Sequence, residues 1–230
     1  MTLNEIAYMC LELLRGGHVV DDERLDIRLI KDWIDLKRAQ YIKNMLAQNP
    51  NNRISLNLYQ NFNITLDEVA VTTAGDYPYI NNTTQSYKIM ESNETLPSIL
   101  EGKNGPMVLS LESEDLMKLP FSFIDYDYLR FAGNGKFNSG LIFGSLRDNK
   151  IYFKHNAFFD TYTNVVLRSI FENPRDVSTE ASPYSDETTE YPADYPLIEY
   201  IKNGIIKEDL KFFINAPTDE INDSSGEIKS

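Results

Sequence analysis

Apolar residues change rhythm along this chain, and each rhythm predicts a different element. At the N-terminus Leu3, Ile6, Ala7, Cys10, Leu13 and Leu14 recur at helical spacing. Thr2 and Glu5 form a capping box ahead of them, and Gly16-Gly17 closes the run, which predicts an amphipathic helix of about four turns. Beyond the acidic Asp21-Asp22-Glu23, Asp26 offers a second N-cap. Ile27, Ile30, Trp33, Ile34, Tyr41, Ile42 and Met45 then predict a second helix that reaches Gln48 and stops before Asn49-Pro50. Its flank carries Lys31, Lys37, Arg38 and Lys43. The preferred reading is a solvated face with charges favourable near a helix C-terminus; the alternative is a contact surface for an acidic neighbour.

From residue 54 to 171 the period shortens to two. Ile54, Leu56 and Leu58 alternate, as do Phe62, Ile64 and Leu66; residues 69–73 are β-branched, and 106–111 read as a buried strand. Residues 75–92 are polar and rich in Asn and Tyr, which predicts an exposed loop or edge insertion. Aromatic strands are expected over 128–132, 140–146, 150–154 and 164–171. Gly133-Asn134-Gly135 and Asp148-Asn149 supply turns with positive φ between them.

The C-terminal part changes again. Residues 174–194, rich in Pro, Ser, Thr, Asp and Glu, read as a loop or mobile linker. Asp194 caps and Pro196 opens a helix with Leu197, Ile198, Ile201, Ile205 and Ile206 on one side. Gly204 weakens its middle by about 1 kcal/mol relative to alanine. Residues 209–214 read as a last turn or separate short helix, and from Pro217 the chain is polar, acidic and expected to be disordered in isolation. The expected fold class is α+β, with an N-terminal helix pair and a C-terminal helix around a mostly antiparallel β-sandwich or small barrel. The expected divisions are a helical part (1–50), a β-rich core (51–173), an acidic linker (174–195), a helical region packing on the core (196–216) and an acidic tail (217–230).

Composition narrows the function. Net charge is −13, and residues 178–230 hold twelve acids against four bases, a net of −8. Such a chain repels phosphate, which argues against a dedicated DNA-binding module but suits a protein that DNA slides past. No apolar run approaches the length of a membrane span, and the N-terminus lacks the basic region of a signal peptide. With Cys10 as the only cysteine no intramolecular disulfide can form. The Asn-x-Thr triplets at Asn63, Asn81, Asn82 and Asn93 then read as chance, and synthesis in a cytoplasm fits best.

Reactive groups are sparse. His18 and His155 lie in different blocks without ligand-spaced partners. Gly133-Asn134-Gly135-Lys136 lacks the spacing, the Ser or Thr and the following helix of a phosphate loop, so a hairpin turn is the better reading. Asp125 and Asp127 would share a side of an extended segment and could act as a carboxylate pair, yet no third acid or basic partner accompanies them. Asp219, Glu220 and Asp223 lack EF-hand spacing. No catalytic, cofactor-binding or metal residue is nominated, and an enzyme is not expected. Fourteen tyrosines and twelve phenylalanines point instead to a β-core and to interfaces, with Tyr77, Tyr79, Tyr87, Tyr184, Tyr191 and Tyr195 as candidate contacts.

Several segments carry a resemblance. MTLNEIAYMCLELLRGG with DDERLDIRLIKDWIDLKRA resembles the N-terminal helix pair of structural proteins from crAss-like and related short-tailed bacteriophages. PFSFIDYDYLRFAGNGKFN and IFGSLRDNKIYFK are similar to their β-core, and IFENPRDV, DYPLIEYI and APTDEINDSS to their C-terminal blocks. The resemblance covers nearly the whole chain in order, and is nearest to the head–tail connector, the ring or adaptor beneath the portal. It implies a virion structural protein without enzymatic activity or cofactor, made in the host cytoplasm and found at the head–tail junction. Its partners would be copies of itself in a homo-oligomeric, dodecameric ring, the portal protein, and further neck or tail rings, with DNA passing through the lumen and no membrane contact. The alternatives are a ring or baseplate component lower in the tail, a host-surface or carbohydrate-binding module, and an enzyme using Asp125 and Asp127.

Overall fold

The structure, a computed structural model, describes residues 1–15, 26–48, 54–70, 88–103, 105–113, 121–129, 131–132, 141–155, 164–178 and 183–209. The chain divides into two compact units, Met1–Tyr41 with Asp186–Ser230, and Ile42–Ser185.

The first unit is helical. Helix α1 (Leu3–Arg15) begins at the expected capping box: the Thr2 N–H donates to Glu5 Oε2 at 2.9 Å, and the Glu5 N–H donates to Thr2 Oγ1 at 3.3 Å. Helix α2 (Ile27–Gln48), which belongs to this unit as far as Tyr41, starts at Asp26, whose Oδ1 accepts from the Arg28 N–H at 2.9 Å. The C-terminal helix, α4 (Tyr195–Gly204), opens as expected, with Asp194 Oδ1 accepting from the Leu197 N–H at 3.1 Å and a proline in its first turn. A single π-turn (Ile205–Asp209) continues it. Leu3, Ile6, Ala7, Cys10, Ile30, Ile34, Leu197, Ile201 and Ile205 form the fully buried apolar core of this unit. Leu13, expected in the α1 stripe, is instead exposed, and Leu11 is buried.

The segment leading into α4 pairs with the N-terminus. The Asp186 carbonyl accepts from the Asn4 N–H at 3.1 Å, the Met1 carbonyl from the Tyr191 N–H at 2.9 Å, and Thr2 forms a β-bridge with Glu190. Its composition is that of a linker, and the backbones of Asp186, Glu190 and Tyr191 meet the N-terminal strap.

The second unit is a sheet of seven strands that nearly closes into a barrel. The strands are β1 (Gln60–Glu68), β2 (Lys88–Ser92), β5 (Val108–Ser113), β6 (Ser122–Phe123), β7 (Phe143–Arg147), β8 (Lys150–His155) and β9 (Asn164–Ser169), in the order β5-β9-β1-β2-β8-β7-β6. All pairs are antiparallel except β6 with β7, and β3 (Glu101–Gly102) with β4 (Gly105–Pro106) forms a separate two-stranded ladder. The two ends of the sheet approach through the Phe121 N–H, just before β6, which donates to the Leu111 carbonyl of β5 at 3.1 Å. Phe62, Ile64 and Leu66 of β1, Ile151 and Phe153 of β8, and Val165 and Leu167 of β9 alternate inward to one core with Leu111, Phe121 and Phe171. Leu111 reaches across to β7, where a Cβ added at Gly144 would lie 2.6 Å from Leu111 Cδ2.

Several expected strands are not strands. Leu56–Leu58 is a 3₁₀ turn capped by Ser55, β1 ends before Val69, and residues 126–129 form the short helix α3 (Tyr126–Leu129) followed by a turn at Phe131 and Ala132. Conversely, Lys88–Ser92, read as loop, is the β2 strand between β1 and β8. Aromatic and β-branched content alone did not separate these cases, because Tyr126 and Leu129 pack onto the sheet from a helical turn. Asp148 and Asn149 adopt φ of 51° and 56°, making the expected tight turn between β7 and β8. The Gly133-Asn134-Gly135 turn and residues 71–87 lie outside the described residues.

Candidate assembly surfaces

Of the basic row on α2, Lys31 is half-buried, Lys37 and Arg38 are buried, and Lys43 is exposed. Lys31 Nζ is 2.6 Å from Asp186 Oδ2, and Lys37 Nζ is 2.5 Å from Glu208 Oε2. The Arg38 Nε–H donates to the Pro192 carbonyl at 2.9 Å, and Lys43 Nζ is 2.8 Å from Glu172 Oε1. Lys37 and Arg38 are buried. The preferred reading of a solvated flank holds for Lys43 and is corrected for Lys31, Lys37 and Arg38. The acidic neighbour is the chain's own C-terminal third, returning over the helix, and no local pattern in α2 announces a partner more than 120 residues away. Buried cations are tolerable only when charge or dipole partners replace their lost hydration, and the chain supplies both. The Lys37 hydrogen bond, and then its charge, hold the Glu208 carboxyl below its ordinary pKa.

Three of the tyrosines offered as contacts lie among the described residues, and they differ in exposure. Tyr191 is buried, and its hydroxyl donates to Asp35 Oδ1 at 2.8 Å, so it braces α2 from within. Tyr195 is 72% exposed. Tyr184 is half-buried, with its N–H donating to Ser178 Oγ at 3.1 Å. Tyr77, Tyr79 and Tyr87 lie outside the described residues.

The candidate chemistry is dispersed. Asp125 precedes α3, where its carbonyl accepts from the Tyr128 N–H at 3.0 Å, and Asp127 sits in the helix itself. Two residues apart on a helix do not share a side, so the geometry assumed for a carboxylate pair is absent there. His155 belongs to β8; His18 and the acids Asp219, Glu220 and Asp223 lie outside the described residues. Cys10 is buried in the first unit, and burial pushes its thiol up to about 11 against a smaller opposing pull from Lys202. Lys154, buried in β8, has its ammonium pushed down by desolvation. Among the described residues no helix is long and apolar enough to cross a membrane.

Exposed apolar side chains are spread over the described surface, and two groups of them share an element. On α3 and its following turn, Tyr128 and Phe131 are 63% and 64% exposed and three residues apart, with the Phe131 N–H donating to the Tyr128 carbonyl at 3.0 Å. The opposite side of the same turn is anchored: Leu129 is buried, and Tyr126 packs edge-on against Tyr152 with Arg147 4.6 Å from its ring centroid. On α2, Leu29 and Leu36 are 38% and 51% exposed while Ile30, Ile34 and Ile42 are fully buried. Neither arrangement was named from sequence. The seven-residue spacing of Leu29 and Leu36, with Trp33 between, was a legible signal for the second.

A family model described as phage tail ring protein 2 (CrAss_Ring_2) matches residues 5–228. No curated protein matches the chain.

Proposed function

The chain belongs to the phage tail ring protein 2 family of crAss-like phages, and from that premise we propose that it is the head–tail adaptor of its virion. It is a virion structural protein that assembles as a ring with other phage tail proteins. In the proposed role, copies form a dodecameric ring beneath the portal, join it to further neck or tail rings, and let DNA pass through the lumen without sequence-specific binding. Its task is structural rather than catalytic.

The family match over nearly the full length carries this reading. Charge supports the DNA-passage part: the chain is strongly acidic, and Lys31, Lys37, Arg38 and Lys43 are engaged by its own carboxylates and carbonyls. Cryo-EM of the virion tests it. The expected density is a ring of twelve copies in contact with the portal. A ring elsewhere along the tail would support the second reading, a component lower in the tail, which the family's description as a tail ring favours. Copies arranged singly on the outer tail surface would refute both.

A further inference from the structure

Strand alternation turns Val165 and Leu167 of β9 into the barrel core, so Arg168 between them and Ser169 points outward. The register sets it between Asn61 of β1 and Ser110 of β5. Arg168 is half-buried, and its Nε is buried with no hydrogen-bond partner. Among the described residues no ion pair reaches its guanidinium, although Glu112 lies two residues further along β5 on the same side. Tyr59 is close by: burial raises the pKa of its hydroxyl, and the Arg168 charge offsets part of that rise. A guanidinium presents a planar fork of donors that fits an oxyanion, and a buried N–H left unbonded carries a desolvation penalty that such a ligand removes. The asparagine amide and the serine hydroxyl on either side add further donors.

An unpaired carboxylate stands on the far side of the same barrel. Asp127, Tyr128 and Phe131 occupy one side of α3 and its following turn, all three exposed, and among the described residues Asp127 makes no ion pair. The other side of that turn, through Tyr126 and Leu129, is seated on β7 and β8. In the strand order β9 is second, while β8 and β7 are fifth and sixth of seven. In a sheet that nearly closes, these positions face in roughly opposite directions. A ring closes when each subunit carries two different, complementary patches on opposed sides.

We propose that Arg168 of one copy receives the Asp127 carboxylate of the next, with Tyr128 and Phe131 of that neighbour laid against the barrel beside it. Leu109, next to Ser110 and 43% exposed, gives the aromatic rings an apolar counterpart. Charge selects this occupant over a DNA phosphate, which a chain of net charge −13 repels. Copies of so acidic a chain repel one another as well, so one well-placed pair of opposite charges admits the neighbour in a single register. The proposal rests on ring formation by the family and not on the ring's place beneath the portal.

Charge exchange in the full-length protein tests it. Arg168→Asp and Asp127→Arg, made singly, are each expected to lose ring formation in native mass spectrometry with the tail partners present. Combined in one chain they are expected to recover it, with far-UV circular dichroism unchanged throughout. Wild-type rings from either single variant, or no recovery in the double variant, would overturn the proposal. The cryo-EM map of the wild-type virion needs no variant: Arg168 is expected within about 4 Å of Asp127 of the neighbouring copy. Arg168 facing DNA, another tail protein or solvent would overturn the pairing wherever the ring lies. The same contact in a ring lower in the tail would uphold the pairing and refute only the adaptor position.

Discussion

Lys37 runs its side chain directly over Gly204. A Cβ added at Gly204 would lie 3.4 Å from Lys37 Cδ and 3.7 Å from Cε, while the ammonium beyond them ends 2.5 Å from Glu208. The stem is packed as hydrocarbon and the head is neutralised by a carboxylate one turn further along. A glycine that weakens α4 in isolation therefore sits where α2 sends a buried cation across it.

Two substitutions at Gly204 should diverge. Its backbone φ is not in the left-handed region and 3.4 Å is ordinary contact, so Gly204→Ala should fit and raise stability by up to about 1 kcal/mol through helix propensity. Gly204→Leu must displace the Lys37 stem and should cost about 1–3 kcal/mol. Urea unfolding of the three proteins checks both signs. Equal effects would mean that Lys37 does not constrain this site.

That pair also marks where the sequence stops being informative. Periodicity and capping residues located α1, α2 and α4, because Thr2, Asp26 and Asp194 act within three residues of themselves. The Asp148-Asn149 turn was legible for the same reason, its two positive φ values being local. The pairing of Lys37 with Glu208 and of Lys31 with Asp186 depends on which segments meet after folding, and charge runs carry no address for that. Residues 126–129 misled because tyrosines that line a sheet from a helical turn have the same composition as a strand. The pairing of Tyr128 with Phe131 was missed for the same reason, since strand alternation would have placed them on opposite faces.

The Glu208 contact should make stability pH-dependent in one direction. Its carboxyl is held below the ordinary value of 4.5, chiefly by the Lys37 hydrogen bond and then by the Lys37 charge. A depressed carboxylate pKa stabilises the fold at all pH values above the unfolded pKa, and the contribution disappears as pH falls through the folded one. The stability gap between wild type and Glu208→Gln should therefore be constant above about pH 5 and shrink at lower pH. A gap that widens on acidification would contradict the pairing.

Cys10 should be chemically silent in the folded protein. With its thiol pushed to about 11 by burial, rather than the ordinary 9.0, it holds roughly one hundredth of the usual thiolate at pH 8, in addition to being inaccessible. Iodoacetamide labelling followed by mass spectrometry should show negligible modification of the native chain and full modification in guanidinium. Labelling at equal rates in both would mean that α1 does not bury its Cys10 side.

Gly144 should resist the smallest enlargement. Its Cβ would lie 2.6 Å from Leu111 Cδ2 and 3.3 Å from Phe153 Cε1, inside the barrel where β7 faces β5. Strand propensity favours alanine slightly, but the collision involves a packed core leucine with little room to yield. Gly144→Ala should lose about 1–3 kcal/mol by overpacking. Adding Leu111→Val to that variant should recover part of the loss, and a strictly additive double mutant would show that the two sites do not touch.

Tyr128 and Phe131 provide the sharpest test of the assembly role on the second unit. Single exposed apolar residues are ordinary on any protein, and two aromatics would not by themselves need explaining. These two, however, project from one turn whose other side is anchored by Leu129, Tyr126 and Tyr152, and aromatic rings have only two χ angles to order on contact. Aromatic side chains so presented are the type that concentrates binding energy at protein interfaces. Tyr128→Ser with Phe131→Ser should leave monomer stability within about 0.5 kcal/mol, because neither side chain is buried. The same variant should lose ring formation when assayed by native mass spectrometry alongside its tail partners. Intact rings at wild-type yield would remove these residues from the subunit interface.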